Sequence, residues 1–354
     1  MILDELSQST GEWLRGTGPQ ADVVVSSRIR LARNLADFPF TNRASTLQKG
    51  EIEALLRERF RKADWGVPTQ TLQLHSLTPV DREFLRERQL ISREHAGSEG
   101  PRCVSFEAKE TWSIMINEED HLRLQVLRSG LGLEEAWEDM DKLDDLIEEQ
   151  VTFAFSEEFG YLTACPTNVG TGMRASVMLH LPALHYTKQL EKVFRALQKI
   201  SLAVRGLYGE GTRATGDFYQ ISNQVTLGKS EEQILKEIRE VIPQIISYER
   251  MARETLLRES KPALLDKVAR ASGTLRAATM ITSEEAMELL STVLLGVHLH
   301  LLDDLTIPLI YELFLHSQPA HLRRLHGAAS DGEELNVARA TFLRQKLRNL
   351  HTSS

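Results

Sequence analysis

The spacing of apolar and polar residues changes period several times along this chain of 354 residues. Residues 49–63 and 79–89 place apolar side chains three and four apart, which predicts two surface helices. Thr78 can cap the second, and Pro79 fits its first position, where no amide hydrogen is needed. Between residues 103 and 126 the period falls to two. His121-Leu122-Arg123-Leu124-Gln125-Val126 alternates strictly, which predicts a strand with one polar and one apolar face, and the alternation returns from Arg174 to Leu181. Helices are predicted over 134–153, 184–200 and 230–257. Strands are predicted over 202–207 and 218–227, the second entered through the turn Gly216-Asp217. Ahead of all these, Val23-Val24-Val25 runs into Ser26-Ser27-Arg28-Ile29-Arg30-Leu31-Ala32-Arg33, which reads as a strand end or loop. From about residue 260 the strand signal stops. Helical periodicity continues over 262–279, 283–302, 307–315 and 333–350, with Ser283-Glu284-Glu285 forming an acidic helix start. The pattern predicts an α+β region, residues 1–257, followed by an all-helical domain, residues 258–354.

Composition narrows the function classes. Against 42 basic residues stand 50 acidic ones, a formal charge of -8, which argues against a general nucleic-acid binder. Cys103 and Cys165 are the only cysteines, too few for a disulfide framework or a structural zinc site, and point to a reducing, cytoplasmic setting. The first ten residues carry Asp4 and Glu5 and lack the apolar core of a secretory signal. The most apolar stretch, 289–302, is interrupted by Ser291, Thr292, His298 and His300 and is too short to span a membrane.

Three constellations carry chemistry. No glycine-rich phosphate loop of the Gly-x-x-x-x-Gly-Lys-Ser/Thr type occurs, so any polyphosphate must be held by side chains. Arg28, Arg30, Arg123, Arg174 and Arg205 stand in strand-like or glycine-flanked contexts, and arginine's planar fork grips phosphate oxygens at any physiological pH. The second constellation is Glu118-Glu119-Asp120, abutting the strand that carries Arg123, together with Glu210 in the loop Gly206-Leu207-Tyr208-Gly209-Glu210. Two carboxylates around a guanidinium supply recognition and a proton acceptor, which such a group needs because its pKa lies above about 12. The third is Cys165, ahead of Pro166 and a glycine-rich turn, where a thiolate beside arginines would have a lowered pKa. Taken singly, each has a plainer reading: a solvated surface arginine, an acidic turn, a buried inert thiol.

Taken together and in order, these segments resemble the phosphagen (guanidino) kinase family. Ser26-Ser27-Arg28-Ile29-Arg30 resembles its first phosphate-binding motif, Asn117-Glu118-Glu119-Asp120-His121-Leu122-Arg123 its acidic motif, and Cys165-Pro166-Thr167-Asn168-Val169-Gly170-Thr171 its cysteine signature. Arg174, heading Ala175-Ser176-Val177-Met178, and Arg205-Gly206 match further arginines of the ATP site. The short segment before Arg28 and the helical region after the catalytic one are similar to the branch that phosphorylates arginine in proteins.

The resemblance implies an antiparallel sheet flanked by helices, ATP with Mg²⁺ carried mainly by the phosphates, Glu119 as general base, Glu210 as second guanidinium-binding carboxylate and Cys165 near the acceptor. It places the nucleotide on Ser26 to Arg30, Arg123, Arg174 to Met178 and Arg205 to Gly209. It also implies protein substrates with exposed arginine, marked for a Clp-type protease, a heat-shock repressor among them, with an activator protein and a homodimer as further partners and no membrane or direct nucleic-acid contact. Two alternatives stay open: a kinase of free arginine or another small guanidine, and a noncatalytic adaptor. The family's phosphoarginine-binding motif, Arg-Asp-x-x-Arg-Ala, is degenerate here as Leu335-Asn336-Val337-Ala338-Arg339-Ala340, so allosteric activation by phosphoarginine is expected to be weak. A stripe of Leu289, Val293, Gly296 and Val297 fits either a dimer contact or internal packing, the latter favoured.

Overall fold

Ser26, Arg28 and Arg30 alternate with Ser27, Ile29 and Leu31 because they lie in mid-strand, not at a strand's end. In the computed structural model, which describes residues 2–206, 215–327 and 332–348, Val24–Arg33 forms the ten-residue strand β1. Both its faces are occupied, one by apolar core and one by the arginines, so the run lacks the clean polar-out pattern of a half-exposed strand.

The other strands are β2 (Thr69–Gln73), β3 (Cys103–Glu107), β4 (Trp112–Ile116), β5 (Leu122–Ser129), the small hairpin β6 (Phe155–Ser156) and β7 (Gly160–Tyr161), β8 (Met173–His180), β9 (Leu202–Gly206) and β10 (Phe218–Asn223). Among the described residues one antiparallel sheet runs β2-β3-β4-β5-β1-β8-β10-β9, with β1 near its middle. Helices α1 (Ile2–Leu6), α2 (Thr46–Lys62), α3 (Pro79–Glu87), α4 (Arg93–Gly97), α5 (Leu133–Glu148), α6 (Pro182–Tyr186), α7 (Leu190–Lys199) and α8 (Glu231–Glu259) surround it. After a break at Ser260 follow α9 (Lys261–Ala277), α10 (Ser283–His298), α11 (Ile307–His316), α12 (Pro319–His326) and α13 (Glu333–Arg348).

Two expected elements are cut short for identifiable reasons. The helix expected over 184–200 is two helices, because the buried Glu249 of α8 accepts from the backbone N–H groups of Ala183 and Leu184, pinning the start of α6, and the chain then turns at Lys188 with φ 57°. The strand expected to reach residue 227 ends at Asn223, whose side chain bonds Met173, Ala175 and Val225 backbone and turns the chain away.

One sheet face, carrying Ile29, Leu31, Leu124, Val126, Ala175, Val177 and Ile221, packs against α2, α5, α7 and α8 in the largest core cluster. Among the described residues the opposite face is covered in two places. Val104, Phe106 and Met115 lie under α3 and α12, and Leu127, Met178 and Phe218 lie under α10 and α11 together with Trp13 and Leu14. Between these covers no described element lies over the face, and there the arginines stand. The α10 stripe is internal packing: Val293 is fully buried, and a Cβ on Gly296 would meet Val268 of α9 at 2.5 Å. No described helix is long and apolar enough to cross a membrane.

Candidate active site

Strand register assembles the cations. Arg30 of β1 pairs with Arg174 of β8, Ala32 with Arg123 of β5, and Gln220 of β10 with Arg205 of β9, so the arginine side chains share one face. Arg30, Arg123, Arg174 and Arg205 line a cavity of about 670 Å³ with Glu118, Glu119 and Cys165. Like charges opposite each other in a sheet repel, and the repulsion is visible in their acidity. Burial first, then Arg123 and Arg174, brings Arg28 down to about 9; burial, then Arg205 and Arg123, brings Arg174 to about 10. Arg30 is pushed well below the usual range for the same reasons, and its buried Nε has no partner among the described residues. Arg28 lies behind this lining and donates to the neutral Gln89 Oε1 at 3.2 Å and Gln220 Oε1 at 2.8 Å. Arg28, Arg30, Arg174 and Arg205 have no carboxylate partner among the described residues, and cations so crowded, one with an orphaned donor, fit a polyphosphate.

The three consecutive acids sit at the tip of the β4–β5 hairpin, closed by Asn117 N–H on His121 O at 2.9 Å, and have three different fates. Glu118 accepts from Arg123 at 2.6 Å and from the Ser92 hydroxyl at 2.6 Å. Burial would raise its carboxyl, but Arg123, Ser92 and the Glu119 N–H outweigh it and hold it at about 2. Asp120, buried, accepts on Oδ1 from Asn34 Nδ2 at 2.6 Å and from Ala164 N–H at 2.7 Å. Glu119 has no such partner among the described residues. Burial, then Asp120 and Glu118, raise its carboxyl above the ordinary 4.5, so it is both exposed to the cavity and more basic than a free glutamate.

The Asp120 bond to Ala164 also sets the cysteine loop. Cys165 follows directly, its Sγ 3.0 Å from the Thr167 hydroxyl, and the Thr226 hydroxyl ties the loop's far side by donating to Thr167 O and Val169 O. Gly170, at φ 110°, lies where a Cβ would meet the Thr226 carbonyl at 2.6 Å. Arg33, though in the same run as Arg28 and Arg30, faces away: its guanidinium binds Asp144 and the Thr171 carbonyl and stacks 3.5 Å over Tyr161, fixing the entry to β8.

The remaining expected positions divide. Ser26 shares the face of Arg28, whereas Ser27 points the other way, donating to Gly130 O and accepting from Gly132 N–H; Ile29, Ala175 and Val177 are core, and Met178 lies under α10 and α11. Ser176 and Gly206 lie in strands beside Arg28 and Tyr219 respectively. Leu207, Tyr208, Gly209 and Glu210 lie outside the described residues. At the degenerate motif, Leu335 and Ala340 are core and Arg339 is consumed by Ser317 O, Ile281 O and Asn336 Oδ1 at 2.8–2.9 Å. His121, grouped with Arg123 by alternation, is buried between Leu35 N–H and Pro39 O. Sequence reading missed Ser92, Asn34, Arg93, Glu94 and Ser98. Ser92 had a local signal as the N-cap of α4, where it accepts from His95 N–H; its reach to Glu118 had none.

Known proteins resemble this chain over nearly its full length. Residues 51–252 match the C-terminal catalytic domain of the ATP:guanido phosphotransferases, and residues 261–354 match the protein-arginine kinase McsB C-terminal domain. The protein-arginine kinase of Halothermothrix orenii is 46% identical over 346 residues, covering 98% of this chain and 99% of that one; its Bacillus cereus (strain ATCC 10987 / NRS 248) counterpart is 43% identical over 355 residues, covering 98% and 99%. Among solved structures, a duplicated taurocyamine kinase from Schistosoma mansoni superposes with a TM-score of 0.60 at 27% identity, covering 68% of this chain and 34% of that one, so this chain spans about a third of its length. Lombricine kinase gives 0.59 at 26% identity, covering 67% and 68%. The chain belongs to the protein-arginine kinases, within the ATP:guanido phosphotransferase family.

Proposed function

We propose that this enzyme transfers the γ-phosphoryl group of ATP to a guanidinium nitrogen of arginine side chains in polypeptides, with the residues of the open sheet face in defined roles. Arg28, Arg30, Arg123, Arg174 and Arg205 hold the phosphates and balance charge on the moving group, the largest contribution in this reaction class. Mg²⁺, when present, would be carried by those phosphates rather than by protein side chains and would offset part of their charge. Glu119 orients the incoming guanidinium and takes its proton as the N–P bond forms and the bond to the leaving ADP oxygen breaks. Glu210 is the second guanidinium-binding carboxylate, and Cys165 borders the acceptor. Ser27, Ile29, Ala175 and Val177 face the other side of the sheet and serve the nucleotide only by setting the strand register of the arginines. The observation that carries this reading is that one cavity is lined by four of the five arginines and by Glu119, the acid of the hairpin tip without a partner among the described residues.

Further out, residues 1–257 act as the catalytic unit and 258–354 as the helical domain. The phosphorylated proteins are marked for a Clp-type protease, a heat-shock repressor is among them, and an activator protein, a homodimeric state and the cytoplasm complete the setting. Incubation with Mg-ATP and either casein or free arginine tests the acceptor. Acid-labile phosphate on casein is the expected result; phosphorylation of free arginine alone would replace the reading with that of a small-guanidine kinase.

A further inference from the structure

We propose that Glu94 is a specificity-determining residue for the acceptor: its carboxylate, on the rim of the cleft near Glu119, binds a cationic group of the target segment and sets the affinity for it. The inference rests on the transfer reaction proposed above. Among the described residues three carboxylates line the cavity, Glu94, Glu118 and Glu119. Glu118 is neutralised by Arg123, and Glu119 is needed for the proton. Glu94 remains: it is exposed, and its carboxylate has no hydrogen bond or ion pair among the described residues. Its charge nevertheless reaches both Glu119 and Arg123, which puts it on the carboxylate side of the cleft.

The support beneath it is rigid. The Ser92 hydroxyl both caps α4 and donates to Glu118, so the turn carrying Glu94 and the hairpin carrying Glu119 are joined through one oxygen. The His95 ring, fully buried, anchors the same turn on the Cys103 carbonyl. The Glu94 carbonyl accepts from Ser98 N–H at 2.9 Å, so its main chain has structural work while its side chain has none. A fixed anion beside a proton-accepting carboxylate draws a guanidinium or ammonium toward the reacting atoms and acts on binding more than on the chemical step. The cation is either the target guanidinium on its way in or a basic residue next to it; both present the same chemistry.

The test uses the full chain with Mg-ATP and two peptides, one with a single arginine among glycine and serine, the other with lysine beside that arginine. Glu94→Gln is expected to raise the acceptor KM by about two- to fivefold, the range for a partly exposed charge pair, and Glu94→Lys to raise it further. The kcat and the KM for ATP stay within about twofold, and the melting midpoint is unchanged. A rise for both peptides identifies the target guanidinium as the bound cation, and a rise for the lysine peptide alone identifies its neighbour. An unchanged acceptor KM for both peptides, a loss falling equally on kcat or on ATP, or a lowered melting midpoint would overturn the proposal. Failure of the wild type to phosphorylate either peptide would instead sink the underlying reaction.

Discussion

Replacing Asp120 with alanine separates the two loops that carry the acceptor-side groups. Its Oδ1 receives the Asn34 amide at 2.6 Å and the Ala164 N–H at 2.7 Å, in a site 2% exposed. Truncation leaves two donors unpaired, at about 1–3 kcal/mol each. It also removes a carboxylate whose burial opposes its ionisation, which offsets part of the loss, so a net destabilisation of about 2–3 kcal/mol is expected. The functional effect is larger than the thermodynamic one. Ala164 is followed by Cys165 and Asp120 is preceded by Glu119, so both reacting-side groups lose their common tether, and a displacement on the order of 1 Å costs about a hundredfold in rate. Arg28, Arg30, Arg174 and Arg205 stand on other strands and Arg123 is held in the β5 ladder between Ala32 and Met115, so the Kd for a non-hydrolysable ATP analogue, measured calorimetrically, stays within about twofold while kcat on casein falls at least about tenfold. Asp120→Asn keeps an acceptor oxygen and should recover most of both losses. An alanine variant with wild-type kcat and melting midpoint would refute the tether, as would an asparagine variant no better than alanine.

Other expectations follow from the same contacts. Glu118 is held at about 2 in the folded protein against an ordinary 4.5, so its ionised form stabilises the fold fully above about pH 4.5, and the contribution is lost as pH falls toward 2. At about 1.4 kcal/mol per unit this is on the order of 3 kcal/mol. Glu118→Gln should therefore lower the thermal midpoint at pH 7, with the gap to wild type closing below pH 4.5; a pH-independent gap would contradict the ion-pair account. Phosphoarginine titrated into the kinase assay should activate weakly, because Arg339 is already bound by two backbone carbonyls and Asn336. Activation of tenfold or more would show that this arginine is released to a ligand.

Much of this was readable along the chain, and what was not has a common cause. Alternation at Arg123 and Arg174 predicted strands with arginines on one face, and the register puts them in one cavity. Pattern fell short at β3 and β4: the period of two over 103–126 covers both strands, but every residue in them is buried, so polarity does not tell which face meets the arginines. It failed again at α12, eight residues long and bound through its first backbone amides to Glu87, a contact across the fold rather than a periodic pattern. The acidic motif shows the limit most plainly. Glu118, Glu119 and Asp120 are equivalent in a sequence, and it takes Arg123 with Ser92, Asn34 and Ala164, the last three distant in the chain, to leave Glu119 as the one unpartnered among the described residues.

In the proposed reaction Glu119 acts on the acceptor and not on the nucleotide. Glu119→Gln, assayed by acid-labile phosphate on casein and by calorimetric binding of a non-hydrolysable ATP analogue, tests it most directly. Transfer should fall by about a hundredfold or more, with nucleotide affinity within about twofold of wild type. Retained transfer, or an equal collapse of nucleotide binding, would contradict it.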